Sequence, residues 1–156
     1  MRTRSLGVSY LMMATFLALA AAAQQAGTWK LNVAKSTFTA DHPAPKSAIL
    51  TITEQDGGLV VDVAGEDAQG SPIHVHFIAK LDGMDYPAAG MPGGGDTVSV
   101  KRIDANTIET VSKKDGQVTA TIRSVVSPDG KTRISTFSGK DSKGNPETWT
   151  QVYDRQ

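Results

Sequence analysis

The chain has 156 residues, 16 basic and 16 acidic side chains, no cysteine, and 39% hydrophobic content. That length is enough for one domain whose core needs no disulfide staples. The balanced charge leaves no electrostatic footprint for nucleic acid or an anionic membrane, and the lack of cysteine excludes thiol catalysis, disulfides and a lipid-bearing cysteine.

Residues 1–23 read as a signal peptide. Arg2 and Arg4 form a positive start, an apolar run extends from Leu6 to about Leu19, and Ala21-Ala22-Ala23 offers a small-x-small cleavage site before Gln24. The apolar run is shorter than the roughly 20 residues that span a bilayer. A periplasmic or secreted protein without a stable membrane anchor is therefore expected. Residues 24–156 form one predicted domain, with 14 basic against 16 acidic residues once Arg2 and Arg4 are removed.

Between Lys30 and Lys46 a helix is conceivable, but Pro43 and Pro45 break its second half. After Ala48 a period of two dominates. Strands are predicted at Ala48–Gln55, Leu59–Gly65, Pro72–Leu81, Thr97–Ile103, Thr107–Lys113, Gln117–Ser127, Lys131–Gly139 and Glu147–Tyr153, with a short extended piece around Asp85-Tyr86-Pro87. Val, Ile and Thr fill these segments, and turn residues such as Asp56-Gly57 and Asp115-Gly116 separate them. No stretch of the predicted domain shows a helical period. The fold class is all-β. About 8–10 antiparallel strands must deal with exposed edges, and an up-and-down β-barrel removes them, with an open sandwich as the alternative.

Two connectors are alike: Gly65–Val75 reads GEDAQGSPIHV and Gly139–Trp149 reads GKDSKGNPETW. Glycine permits the bend, aspartate bonds nearby backbone amides, and proline opens the next strand, where its missing N–H costs little. The two copies are expected to be equivalent, neighbouring hairpins. A calcium loop is the rival reading, but Glu66, Asp67 and Asp141 supply too few oxygens.

His74 and His76 share a strand face, their side chains roughly 6.5–7 Å apart. Zinc needs a third and usually a fourth ligand. Ile73, Val75, Phe77, Ala79 and Leu81 form the opposite, apolar face, so the histidines are expected to face solvent and no metal site is predicted. The same face logic places Val98, Val100 and Arg102 together, then Val118, Ala120, Ile122, Ser124 and Val126, then Trp149, Gln151 and Tyr153. Where those faces converge the interior is aliphatic with a few polar groups. The candidate ligand-binding residues are Arg102, Gln151, Tyr153, Phe77 and Trp149. Arg102 is the sharpest of these, since a buried guanidinium needs a partner and a ligand carboxylate supplies one; a strand-end position with its head in water is the alternative. The loop Ala88–Gly95 (AAGMPGGG) lacks the Gly-Lys-Ser/Thr ending of a phosphate loop and reads as a connector at the barrel mouth. No catalytic constellation is present and no cofactor is implied.

Gly27-Thr28-Trp29 resembles the first-strand opening of lipocalins and fatty-acid-binding proteins, the calycin group. Thr150-Gln151-Val152-Tyr153 is similar to the last strand of fatty-acid-binding proteins, where an arginine and a tyrosine two apart hold a ligand carboxylate. Tyr153 matches the tyrosine; Gln151 stands in the arginine's place. The helix pair that lids that family's barrel has no counterpart. In lipocalins a late basic residue packs over the tryptophan. Arg155 is the candidate for that contact over Trp29, or else a solvated tail residue. GTWKLN, DGMDYP, TVSVKRIDANTIE and VYDRQ also resemble a group of small secreted bacterial proteins, a likeness that carries no functional residue with it. The resemblance implies non-enzymatic binding or transport of a small apolar or amphipathic ligand in the cell envelope. The alternative is a β module with a filled core that binds a protein or cell-wall partner. An interior cavity of roughly 300 Å³ or more separates the two.

Overall fold

A computed structural model describes residues 24–156, so the predicted leader, residues 1–23, lies outside the described residues. Ten antiparallel strands form a closed barrel. In chain order they are β1 (Gly27–Leu31), β2 (Ser47–Gln55), β3 (Gly58–Glu66), β4 (Pro72–Lys80), β5 (Asp82–Ala89), β6 (Thr97–Arg102), β7 (Thr107–Lys114), β8 (Gln117–Val126), β9 (Thr132–Lys140) and β10 (Pro146–Arg155). Each strand pairs with the next along the chain, and β1 closes the ring by pairing with both β2 and β10. The period-2 pattern explains the closure. Leu50, Ile52, Val61, Phe77, Val98, Val100, Ile122 and Phe137 all turn inward and are buried, while closing the ring leaves no edge strand to template aggregation.

The region Lys30–Lys46 holds no α-helix. A single 3₁₀ turn, Val33–Lys35, is capped by the Asn32 side chain, and an extended strap runs from there to β2. Thr37 forms an isolated bridge with Thr150, and Ser36 Oγ accepts from the Val152 amide at 2.9 Å. The strap thereby covers Val152, which points outward yet is buried. The piece around Asp85-Tyr86-Pro87 is a full strand, β5, which pairs with β4 only through His76 with Ala89 and Phe77 with Ala88.

The two repeated connectors are equivalent turns. In the first, Asp67 Oδ1 accepts from the amides of Gln69 and Ser71; in the second, Asp141 Oδ1 accepts from those of Lys143 and Asn145, all at 2.8–2.9 Å. Gly70 and Gly144 close them at φ 91° and 85°, where a side chain would be strained. They lie at the same end of the barrel but are not neighbours, because β1 and β2 stand between the two hairpins in the ring. The strap bridges that gap. Asp41 accepts from the Ser142 amide at 2.6 Å on one side, and the Lys46 amide donates to Glu66 O at 2.9 Å on the other.

One inward face departs from simple alternation. The β7–β8 register skips a residue, with Ser112 opposite Ala120 and Lys113 opposite Val118, so Thr119 is a bulge. Its hydroxyl turns to Ser112 and to Pro92 O. Val118, expected inside, is consequently 60% exposed.

Candidate functional site

The end of the barrel opposite the strap is shut. Trp29 is fully buried, and Arg155 lies over its ring at 4.0 Å. The guanidinium also donates to Gly130 O at 2.5 Å, Ala26 O at 2.7 Å and Gln24 O at 2.9 Å. Arg155 is thus a clamp on the N-terminal segment rather than a free tail. The Gly-x-Trp opening has a local cause, since a Cβ at Gly27 would overlap Arg155 Nη1.

Above this floor a cavity of about 440 Å³ runs to the strap end. One side is apolar: Leu50, Val61, Val63, Val75 and Phe77 come from β2, β3 and β4, with Ile122, Phe137 and Trp149 across from them. The other side carries polar groups from neighbouring strands: Thr110 (β7), Ser124 (β8), Arg133 and Ser135 (β9), Gln151 and Tyr153 (β10). Ser124 Oγ and Ser135 Oγ are 2.9 Å apart, and the Tyr153 hydroxyl donates to Gln151 Oε1 at 2.8 Å. At the strap end the lining comes from Asp41, His42 and Pro43, from Asp67 to Gln69, and from Gly90 to Pro92. His42 stacks on Trp149 with ring centroids 3.6 Å apart, and Trp149 stacks on Phe137 at 5.0 Å. His42 Nε2 also lies 3.4 Å from Glu147 Oε2.

Four of the five predicted ligand-binding residues, Phe77, Trp149, Gln151 and Tyr153, line this one cavity. Arg102 does not. It ends β6, is only partly buried, and stays outside the lining. The interior arginine is Arg133, 5% exposed and opposite Tyr153 in the β9–β10 ladder. Burial lowers its pKa to about 10 and pushes the Tyr153 hydroxyl up to about 12, so at neutral pH the floor holds one positive charge and a neutral phenol. Arg133 Nη1 donates to Gln25 Oε1, its Nε is buried without a hydrogen-bond partner, and among the described residues no carboxylate is within ion-pair distance.

Arg133 escapes a face reading of the sequence because its strand inverts the usual pattern. Arg133, Ser135 and Phe137 point in, while Ile134 points out and is 44% exposed. Gln25 gives no sequence signal, since it precedes the first strand. The histidine pair lies on the outer face: His74 is exposed and His76 Nδ1 sits 2.7 Å from Asp62 Oδ1. Among the described residues no three potential metal ligands cluster, and no helix is long and apolar enough to cross a membrane.

No protein-family model and no curated protein sequence matches the chain. Solved structures do match. The zebrafish ileal bile acid-binding protein, complexed with cholic acid, aligns over 85% of this chain and 99% of its own at a TM-score of 0.53 and 9% identity. A redesigned beta barrel aligns over 88% of this chain and 96% of its own at a TM-score of 0.46 and 17% identity. This is a calycin-like barrel. At such identities the likeness concerns the fold, and the site must be argued from its own residues.

Proposed function

We propose that the barrel binds a small amphipathic molecule, with its apolar body against Phe77, Val61 and Trp149 and an acidic head group at Arg133. The observation that carries this reading is a buried guanidinium with no counter-charge at the floor of a largely apolar cavity. An isolated buried charge is costly, and a ligand anion offsets that cost. The volume exceeds the roughly 300 Å³ at which ligand sites begin, which favours a carrier over a filled-core module. The zebrafish protein's cholic acid supports an amphipathic acid as the ligand class on the same type of barrel.

The ligand is held rather than transformed. Tyr153, with its pKa near 12, is no base at neutral pH, and the acidic groups Asp41 and Asp67 accept hydrogen bonds within the strap-end loops. The leader-like sequence of residues 1–23 favours the cell envelope as the site of action. Native mass spectrometry of protein purified from its own host tests the role. An amphipathic acid bound at one per chain is expected; a clean apo mass, together with no uptake of dodecanoate in titration, would refute it.

A further inference from the structure

The floor of the barrel contains a carboxamide that no strand supplies. Gln25, ahead of β1, is fully buried, and its side-chain nitrogen, side-chain oxygen and backbone carbonyl are each engaged. Its Nε2 donates to Asn106 O at 3.0 Å, its Oε1 accepts from Arg133 Nη1, and its backbone carbonyl accepts from Trp29 Nε1 at 3.1 Å. Arg155 holds the carbonyls of Gln24 and Ala26, on either side of it.

A carboxamide has one donating and one accepting end. Here the donating end is tied to a carbonyl, which cannot itself donate, so the accepting end must face the guanidinium. Arg133 therefore gains a hydrogen-bond acceptor but no negative charge. A glutamate in the same place would neutralise it.

We propose that Gln25 is a specificity-determining residue of the cavity: it holds the Arg133 guanidinium from below while leaving its charge for the anionic head of a ligand above. The inference rests on the ligand-binding reading given above. Two observations separate the roles. Arg133 lines the cavity and Gln25 does not, so Gln25 stands behind the guanidinium and does not occupy the ligand's space. Arg133 also keeps a buried Nε without a partner, so its hydrogen-bonding capacity is unfilled.

The experiment compares dodecanoate with 1-dodecanol by calorimetric titration at neutral pH, in wild type and in Gln25→Glu. Wild type is expected to prefer dodecanoate by about tenfold or more, the scale of a charge-assisted hydrogen bond. In Gln25→Glu the dodecanoate affinity should fall by a similar factor while dodecanol binding holds. If dodecanoate keeps its affinity in the variant, or both ligands weaken together, the role of Gln25 is overturned while the carrier reading stands. If wild type takes up neither ligand, the carrier reading fails and the role of Gln25 with it. Should Gln25→Glu not fold, Gln25→Leu serves. With its neutral partner gone, Arg133 should make dodecanoate raise the melting temperature more than in wild type; an equal or smaller rise would overturn the proposal.

Discussion

Arg133 and Tyr153 are direct partners across the β9–β10 ladder, and both side chains are buried in the floor of the cavity. Neither neutralises the other. The tyrosine hydroxyl donates to Gln151, and the guanidinium leans on Gln25, so the protein keeps a positive charge in an apolar interior. A site of this kind sacrifices stability in the empty protein for selectivity in the loaded one.

Arg133→Met should expose that exchange. Replacing a buried charge with an apolar side chain of similar length is expected to stabilise the empty protein by about 1–3 kcal/mol. The same change should remove any preference for dodecanoate over dodecanol. Chemical denaturation and calorimetric titration on one preparation read both effects. A destabilised variant that still favours the acid would contradict the account.

The pair also gives a signed alkaline dependence. Tyr153 has its pKa raised from 10.0 to about 12 by burial, so its contribution is complete below pH 10 and is lost as pH rises towards 12. Arg133 moves the other way, from 12.5 to about 10, so the cost of its buried charge is present below pH 10 and is relieved above it. The two oppose each other in wild type. In Tyr153→Phe only the arginine effect remains, so the variant's stability relative to wild type should climb between about pH 10 and 12. Parallel denaturation curves across that window would contradict the assignment.

At the shut end, Arg155→Ala should cost about 2–4 kcal/mol. It removes a cation–π contact worth roughly 0.5–2 kcal/mol and three carbonyl partners, and it frees the segment carrying Gln25. Arg155→Lys should recover only part, because an ammonium cannot reproduce the planar fork. Thermal melting of the three proteins checks the order; an unchanged melting temperature in Arg155→Ala would show the clamp to be ornamental.

At the strap end, His42→Ala removes the ring stacked on Trp149 and the contact to Glu147. Aromatic stacking is worth about 0.5–1.5 kcal/mol, so dodecanoate should leave about three- to tenfold faster while the barrel stays folded. Stopped-flow tryptophan fluorescence follows the release, since Trp149 lines the cavity. An unchanged rate would mean that ligand leaves by another route.

Strand alternation was the readable part of this sequence. Phe77, Val98, Val100 and Ile122 lie inside because apolar side chains at every second position can share only one face. The twin turns were readable because Asp67 and Asp141 act on amides two and four residues away. Other features depend on contacts distant in sequence. Val118 moved outside because of a bulge that exists only in the pairing of β7 with β8. Arg102 and Arg133 both sit near strand ends beside apolar residues, and only the closed barrel shows that Arg133 lines the cavity while Arg102 does not. The Gln25 carboxamide acquires its partners across 81 and 108 residues, beyond any local pattern.

The central claim is that one amphipathic acid sits in the cavity with its charge at Arg133. NMR of the protein with ¹³C-carboxyl-labelled dodecanoate tests it most directly. The account expects one saturable bound carboxyl resonance, lost in Arg133→Met, that stays ionised well below the pH at which the free acid protonates. No bound resonance, or one that survives Arg133→Met and titrates like the free acid, would contradict it.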